Sequence, residues 1–123
     1  MPSKAQKFGK KSESLAANYL KSSGYRILER NYRNQIGEID IIAREGPVLV
    51  FVEVKARHSR RYGSPKQALT PAKQAKISRT AMVYLKASGQ LQAKARFDVV
   101  AIDARYSPPD IEVVKNAFEL VSR

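Results

Sequence analysis

The chain has 123 residues, enough for one hydrophobic core and too few for two ordinary ones. Hydrophobic residues make up 43%, which excludes wholesale disorder, and the absence of cysteine excludes disulfides and thiolate metal sites. Lys and Arg total 23 against 11 Asp and Glu, a formal net charge of +12 that favours a polyanionic partner, nucleic acid above all. Charge alone does not separate DNA from RNA. An anionic membrane surface is the weaker alternative, because no long helix combines a basic face with bulky apolar anchors.

The basic start MPSKAQKFGKK has no apolar stretch behind it, so it does not read as a signal peptide, and no apolar run reaches bilayer-spanning length. A soluble, cytoplasmic, single-domain protein with no membrane partner is the expectation. Residues 1–8 are polar and expected to be frayed and flexible. From Gly9 to Ser23 the positions Leu15, Ala16, Tyr19 and Leu20 follow helical spacing, with Gly24 as the stop. Glu13 lies beside this stripe. It is either a favourable charge near the positive end of the helix dipole or a carboxylate carried over the neighbouring strands.

Tyr25 to Arg33 reads as a strand in which Glu29 is expected to pair with a neighbouring arginine, and Asn34-Gln35 turns the chain. The next stretch, Gly37 to Lys55, is GEIDIIAREGPVLVFVEVK: two alternating apolar runs about a Gly-Pro break, the pattern of a hairpin. Strict alternation puts Glu38, Asp40 and Ile42 on one face of the first strand and Ile39 and Ile41 on the other. On the second strand Phe51, Glu53 and Lys55 share a face, opposite Val50, Val52 and Val54.

Whether the charged faces coincide depends on the loop. An even loop, either Glu45-Gly46 or Glu45 to Val48, puts Asp40 and Glu53 together, whereas an odd one separates them. The even register gathers two carboxylates and a lysine on one patch, suited to a hard cation and poorly suited to a core. Mg²⁺ or Mn²⁺ would take Asp40 and Glu53, with the Val54 carbonyl as a third oxygen and the remaining positions left to water and phosphate. Such an ion polarises a phosphate and lowers the pKa of water, and Lys55 would orient that water or stabilise the transition state. The chemistry implied is phosphodiester hydrolysis. Taken alone, E-x-K is a weak pattern that also fits a solvated strand face.

After Lys55, ARHSRRYGSP is a basic loop whose Arg57, Arg60 and Arg61, with Tyr62, suit phosphate contact and stacking. The alternative is a surface loop meeting only water, and His58 is given no role. Ser64-Pro65 and Thr70-Pro71 are N-cap and N1 pairs: the first opens a short turn, the second a helix to about Ala87 with Ile77, Ala81, Tyr84 and Leu85 on one side. Gln67, Lys73, Lys76 and Arg79 are candidate nucleic-acid contacts, or a solvated surface. Arg96 to Asp103 is a strand covered on both faces. Asp98 at its start is either a metal neighbour or a group satisfied by backbone or arginine. Ser107 to Asp110 is a turn, Ile111 to Lys115 an edge strand, and Asn116 to Leu120 a helical turn.

The combination of Asp40 with Glu53-Val54-Lys55 resembles the D…E-x-K signature of the restriction-endonuclease-like nucleases, the PD-(D/E)XK superfamily. More closely, GEIDIIA followed by VFVEVKAR is similar to the YraN family of small bacterial proteins, related in turn to archaeal Holliday-junction resolvases. The likeness runs through Gly9 to Glu13, Gly24-Tyr25, Arg30-Asn31, the hairpin, Lys73, Phe97-Asp98 and Ala117-Phe118. It departs at Ile39, where the superfamily pattern names proline. The resemblance implies an α/β fold with an αβββαβ core, a mixed sheet flanked by helices. It also implies Glu13 as a third acidic ligand or a water-holder over the hairpin face and, on branched junctions, a homodimer cutting symmetrically. The function expected is a Mg²⁺- or Mn²⁺-dependent endonuclease on structured or branched DNA. A non-catalytic nucleic-acid-binding module on the same fold is the alternative.

Overall fold

The structure, a computed structural model, describes residues 3–57 and 69–120. Helix α1 (Lys4–Ser22) opens on a capping box: Ser3 Oγ accepts from the Gln6 amide, and Gln6 Oε1 accepts from the Ser3 amide. The helix therefore begins at Lys4, not Gly9, because a polar cap rather than the apolar stripe sets its first turn. Ser12, Ala16, Ala17 and Leu20 form its buried side, while Tyr19 is turned outward. Gly24, at φ +95°, ends it, with the Tyr25 amide reaching back to the Leu20 carbonyl.

Strands β1 (Arg26–Arg33), β2 (Glu38–Glu45) and β3 (Val48–Arg57) follow as an antiparallel meander. Gly46, at φ +57°, and Pro47 make the two-residue connection between β2 and β3. Helix α2 (Pro71–Ala87) is capped by Thr70, whose side chain accepts from the Lys73 amide, and carries Pro71 at its first turn. Strand β4 (Ala95–Asp103) then pairs parallel to β3, which requires a crossover, and β5 (Asp110–Phe118) pairs antiparallel to β4. The result is one mixed sheet in the order β1-β2-β3-β4-β5. The αβββαβ core and flanking helices expected from the sequence are present, and the expected edge strand at Ile111 to Lys115 is β5, which runs longer than expected.

The two sheet faces are both cores. Ile42, Leu49, Phe51, Phe97 and Val99 pack on one side under Ile77, Ala81 and Leu85 of α2. Ile41, Ala43, Val50, Val52, Val100 and Ile102 pack on the other under Ala16, Ala17 and Leu20 of α1. Two expectations fail here. Ile39 belongs with Ile42 on the α2 side rather than with Ile41, so alternation breaks at Asp40. Across the β1–β2 ladder from this break stands Asn31, flanked by the Tyr32–Ile39 and Arg30–Ile41 pairs and held at φ +54°. A left-handed residue in mid-strand rotates the ribbon, and asparagine tolerates that conformation better than most.

The second failure concerns the C-terminal segment, which is strand through Phe118 rather than a helical turn. Asn116 sits at φ +53° in an irregularity of the β4–β5 ladder, and its amide donates to Asp98 Oδ1. Asp98 is fully buried and is also held by Tyr25 and Arg96, so of its two sequence readings the satisfied structural group is the one present. Glu29 is exposed and makes no ion pair among the described residues, contrary to expectation.

Candidate active site

The β2–β3 register pairs Ile41 with Val52, Ile42 with Phe51 and so on to Glu45 with Val48. Extending it by one step sets Asp40 opposite Glu53, the relationship the four-residue loop option required. The ladder itself stops at Ile41–Val52. Beyond that point Asp40 Oδ2 accepts from the Val54 amide at 2.8 Å, a side chain replacing the backbone partner that β2 has ceased to provide. The carboxylate is thus wedged into the fork between two strands. Because a residue's N–H and C=O leave a strand on the same edge, the Val54 carbonyl also faces the fork.

Glu53 is on the Phe51 side of β3, facing α2, within hydrogen-bonding range of Asp40. Its pKa is pushed up to about 9, first by burial, then by the hydrogen bond and charge of Asp40, against the opposing pull of Lys55 and Lys73. The crevice behind the pair, walled by Ile39, Phe51, Ile77, Phe97 and Phe118, has no room for a water molecule. Lys55 is half-buried beside Glu53. Burial lowers its pKa, the charges of Glu53 and Asp40 oppose that, and Lys73 within hydrogen-bonding range lowers it further.

These four groups, Asp40, Glu53, Lys55 and Lys73, are brought together. Lys73 comes from the first turn of α2, so the site is closed by an element distant in sequence from the hairpin. Glu13 stands on α1 near Asp40, Glu38, Arg30 and Asn31; burial, and next the charge of Asp40, raise its pKa. Its Oε1 is buried with no hydrogen-bond partner. Among the described residues no three acidic or histidine side chains gather tightly enough to hold one ion. Glu13 sits on the helix packed against the other face of the sheet from α2, close enough to Asp40 to feel its charge.

The remaining candidates are spread out. Arg57 ends β3 and meets Asp103 at 3.5 Å. Lys76 lies with its stem over Gly37, and exposed Arg79 makes no hydrogen bond or ion pair among the described residues. Arg60, Arg61 and Gln67, with His58, Tyr62 and the Ser64-Pro65 turn, fall outside the described residues. Sequence reasoning gives no task to Gly37 or Asn31, which frame the site. A β-carbon at Gly37 would stand 2.9 Å from Thr80 Oγ1 and 3.2 Å from Lys76 Cε, so glycine is what lets α2 lie this close to the start of β2. A glycine directly before an acidic strand is the signal that could have found it.

The donor set fits a hard divalent cation. Such ions use one or two protein carboxylates and fill the rest of their sphere with water and phosphate oxygen. Two adjacent carboxyls, one driven to hold a proton in the absence of a countercharge, supply that number. A carbonyl on the same edge adds a neutral oxygen.

A family model described as "Uncharacterised protein family UPF0102" matches residues 12–102. The chain belongs to UPF0102. Among UPF0102 proteins it is 48% identical over 119 residues to one from Desulfosudis oleivorans, covering 97% of this chain and 95% of the relative. It is 53% identical to one from Geobacter metallireducens, covering 91% and 92%. For one from Rhodococcus jostii the identity is 49%, with 89% and 94% covered. Membership of UPF0102 agrees with the YraN-like resemblance read from the hairpin motifs. Among solved structures, Pyrococcus furiosus SfsA in complex with Ca²⁺ aligns with 87% of this UPF0102 chain and 62% of its own, at 15% identity and a TM-score of 0.39.

Proposed function

We propose that this protein is a Mg²⁺- or Mn²⁺-dependent endonuclease of the PD-(D/E)XK type, hydrolysing phosphodiesters in structured or branched DNA in the cytoplasm. One observation carries the reading: Asp40 and Glu53 meet in a half-buried fork of the sheet, backed by an apolar crevice and with Lys55 and Lys73 beside them, in a protein of net charge +12. Adjacent, partly desolvated carboxyls are costly to a fold and make chemical sense where a cation is to be held.

When bound, a divalent cation supplies Lewis acidity toward the phosphate and makes water a better nucleophile. Asp40 and Glu53 would hold it, with the Asp40–Val54 bond fixing the first carboxylate in place. Lys55 sits two residues along the strand, where it can stabilise charge developing on the phosphoryl oxygens, with Lys73 tuning its proton affinity. Glu13, whose buried Oε1 has no partner, would assist as a further acidic ligand or as the holder of a water beside Asp40. Specificity rests on backbone and shape, since no base-reading module is present in the described residues, and on a branched substrate a two-fold pair of copies would cut symmetrically.

Compartment enters only through this reading; among the described residues no helix is long and apolar enough to cross a membrane. The test is cleavage of duplex, single-stranded and four-way-junction DNA, and of RNA, with Mg²⁺ or Mn²⁺ and with EDTA. Metal-dependent cutting that vanishes in Asp40→Asn is the expected result. Binding to all substrates with no cutting, unchanged in Asp40→Asn, would leave a non-catalytic binding module.

A further inference from the structure

Both helices start at the same end of the sheet. Glu13, in the N-terminal half of α1, lies by Asp40 and Glu38, while the α2 first turn brings Lys73 to Lys55 and the next lays Lys76 over Gly37. At the opposite end lie the hairpin tip and the segment after α2, tied by Arg44 to Gln90 and by the Leu49 amide to the Lys94 carbonyl. The site end is therefore flanked by an N-terminal helical half on each face of the sheet.

The α1 half carries Lys4, Lys7, Lys10 and Lys11, all exposed, and none makes an ion pair among the described residues. Lys4, Lys7 and Lys11 fall at i, i+3 and i+7, one continuous ridge. The first turn has no acid to offset them. Cations are disfavoured at the positive end of a helix dipole, and four mutually repelling lysines gain nothing from the fold. An open groove runs along the sheet side of α1, with Gln6, Gly9, Lys10 and Glu13 on one side and Asn31, Arg33 and Glu38 on the other, while Lys4, Lys7 and Lys11 stand outside it on the outer side of the helix. Its acidic wall, Glu13 and Glu38, disfavours phosphate on the floor, so an anionic chain would follow the ridge.

We infer that the Lys4–Lys7–Lys11 ridge of α1 is a second nucleic-acid contact surface, gripping the backbone of a duplex arm on the far side of Asp40 from α2. It rests on the nucleic-acid half of the proposed function and not on catalysis. The ridge holds phosphates as a row of point charges, without sequence preference. A membrane is the poorer fit because Phe8, the bulky apolar side chain beside the ridge, is half-buried in the fold rather than held out as an anchor.

The experiment measures binding of the full chain to a 20-base-pair duplex in EDTA across a salt series. It compares wild type with Lys4→Gln/Lys7→Gln/Lys11→Gln and with a control of equal charge change at the helix C-termini and beyond, Lys21→Gln/Lys86→Gln/Lys94→Gln. Every phosphate that the protein ceases to neutralise takes about 0.9 from the slope of log affinity against log salt, so the slope of the ridge variant should be shallower by about 2 to 3. The control should keep the wild-type slope within about 1. Equal slopes in the two variants would overturn the assignment, as would wild-type binding to phosphatidylserine vesicles that the ridge variant loses while its duplex slope stays unchanged. Because no cleavage is read, an inert Asp40 site leaves the outcome untouched, and a protein that cuts DNA with an unchanged ridge slope refutes only the ridge.

Discussion

Asp40 and Glu53 face each other one step past the last backbone pair of β2 and β3, where the ladder has ended and the Asp40 side chain takes over as the partner of the Val54 amide. The pair is electrostatically frustrated without a cation, and the frustration has a sign. Glu53 titrates near 4.5 when free and near 9 in the fold, so between those values the folded state binds the extra proton. Metal-free stability should therefore fall as pH rises from about 5 toward 9. Glu53→Gln removes this dependence and should stabilise the metal-free protein at pH 7 by up to about 3 kcal/mol. Urea unfolding in EDTA at several pH values measures it; a wild type as pH-insensitive as the variant would contradict the burial of the pair.

Asp40 has a structural duty besides the chemical one. Asp40→Asn keeps an oxygen for the Val54 amide, whereas Asp40→Ala leaves that amide unpaired in a half-buried fork. Both variants should lose cleavage, but the alanine should be less stable than the asparagine by about 1–2 kcal/mol. Equal melting temperatures would mean that the 2.8 Å contact carries no net energy.

Gly37→Ala should push α2 off the start of β2, costing about 1–3 kcal/mol, because its new methyl meets the buried Thr80 hydroxyl. Removing that hydroxyl should relieve the strain. In Gly37→Ala/Thr80→Ala the combined loss should be smaller than the sum of the two single losses, a positive coupling readable from a double-mutant cycle. Additive losses would place the conflict elsewhere.

Asp98 is the fold's own buried carboxylate. It accepts from Tyr25 Oη at 2.8 Å and from Arg96 through Nε at 2.8 Å and a second nitrogen at 2.9 Å. Asp98→Ala strands the largely buried Arg96 beside Tyr25 and should cost about 3–5 kcal/mol. Metal affinity, measured by calorimetry on the folded variant, should stay within about twofold of wild type if the group plays no part in the site. A large loss of affinity would move Asp98 into the functional set.

The parts of this molecule readable from residues alone are those set by local rules. Thr70-Pro71 marks the start of α2 because an N-cap hydroxyl and an N1 proline act within one turn. The meeting of Asp40 and Glu53 follows from parity about an even turn, and Gly46-Pro47 keeps the count even. Parity fails at Ile39, because the rotation is imposed from the partner strand by Asn31. The C-terminal strand escapes such rules for a related reason: Asn116, left-handed and bonded to a carboxylate from β4, looks locally like a strand end. Lys73 joins the site only through the docking of α2, which its own periodicity does not encode.

Asn31 and Asn116 also have something in common that bears on association. They interrupt β1 and β5, the two outermost ribbons of the sheet, and Arg26, Arg30 and Lys115 add charge along the same rims. A neighbouring molecule seeking to prolong the sheet would find a bent, charged border on either flank. Self-assembly by ribbon extension is thereby discouraged, and copies of the chain that do meet would do so through helical or loop surfaces.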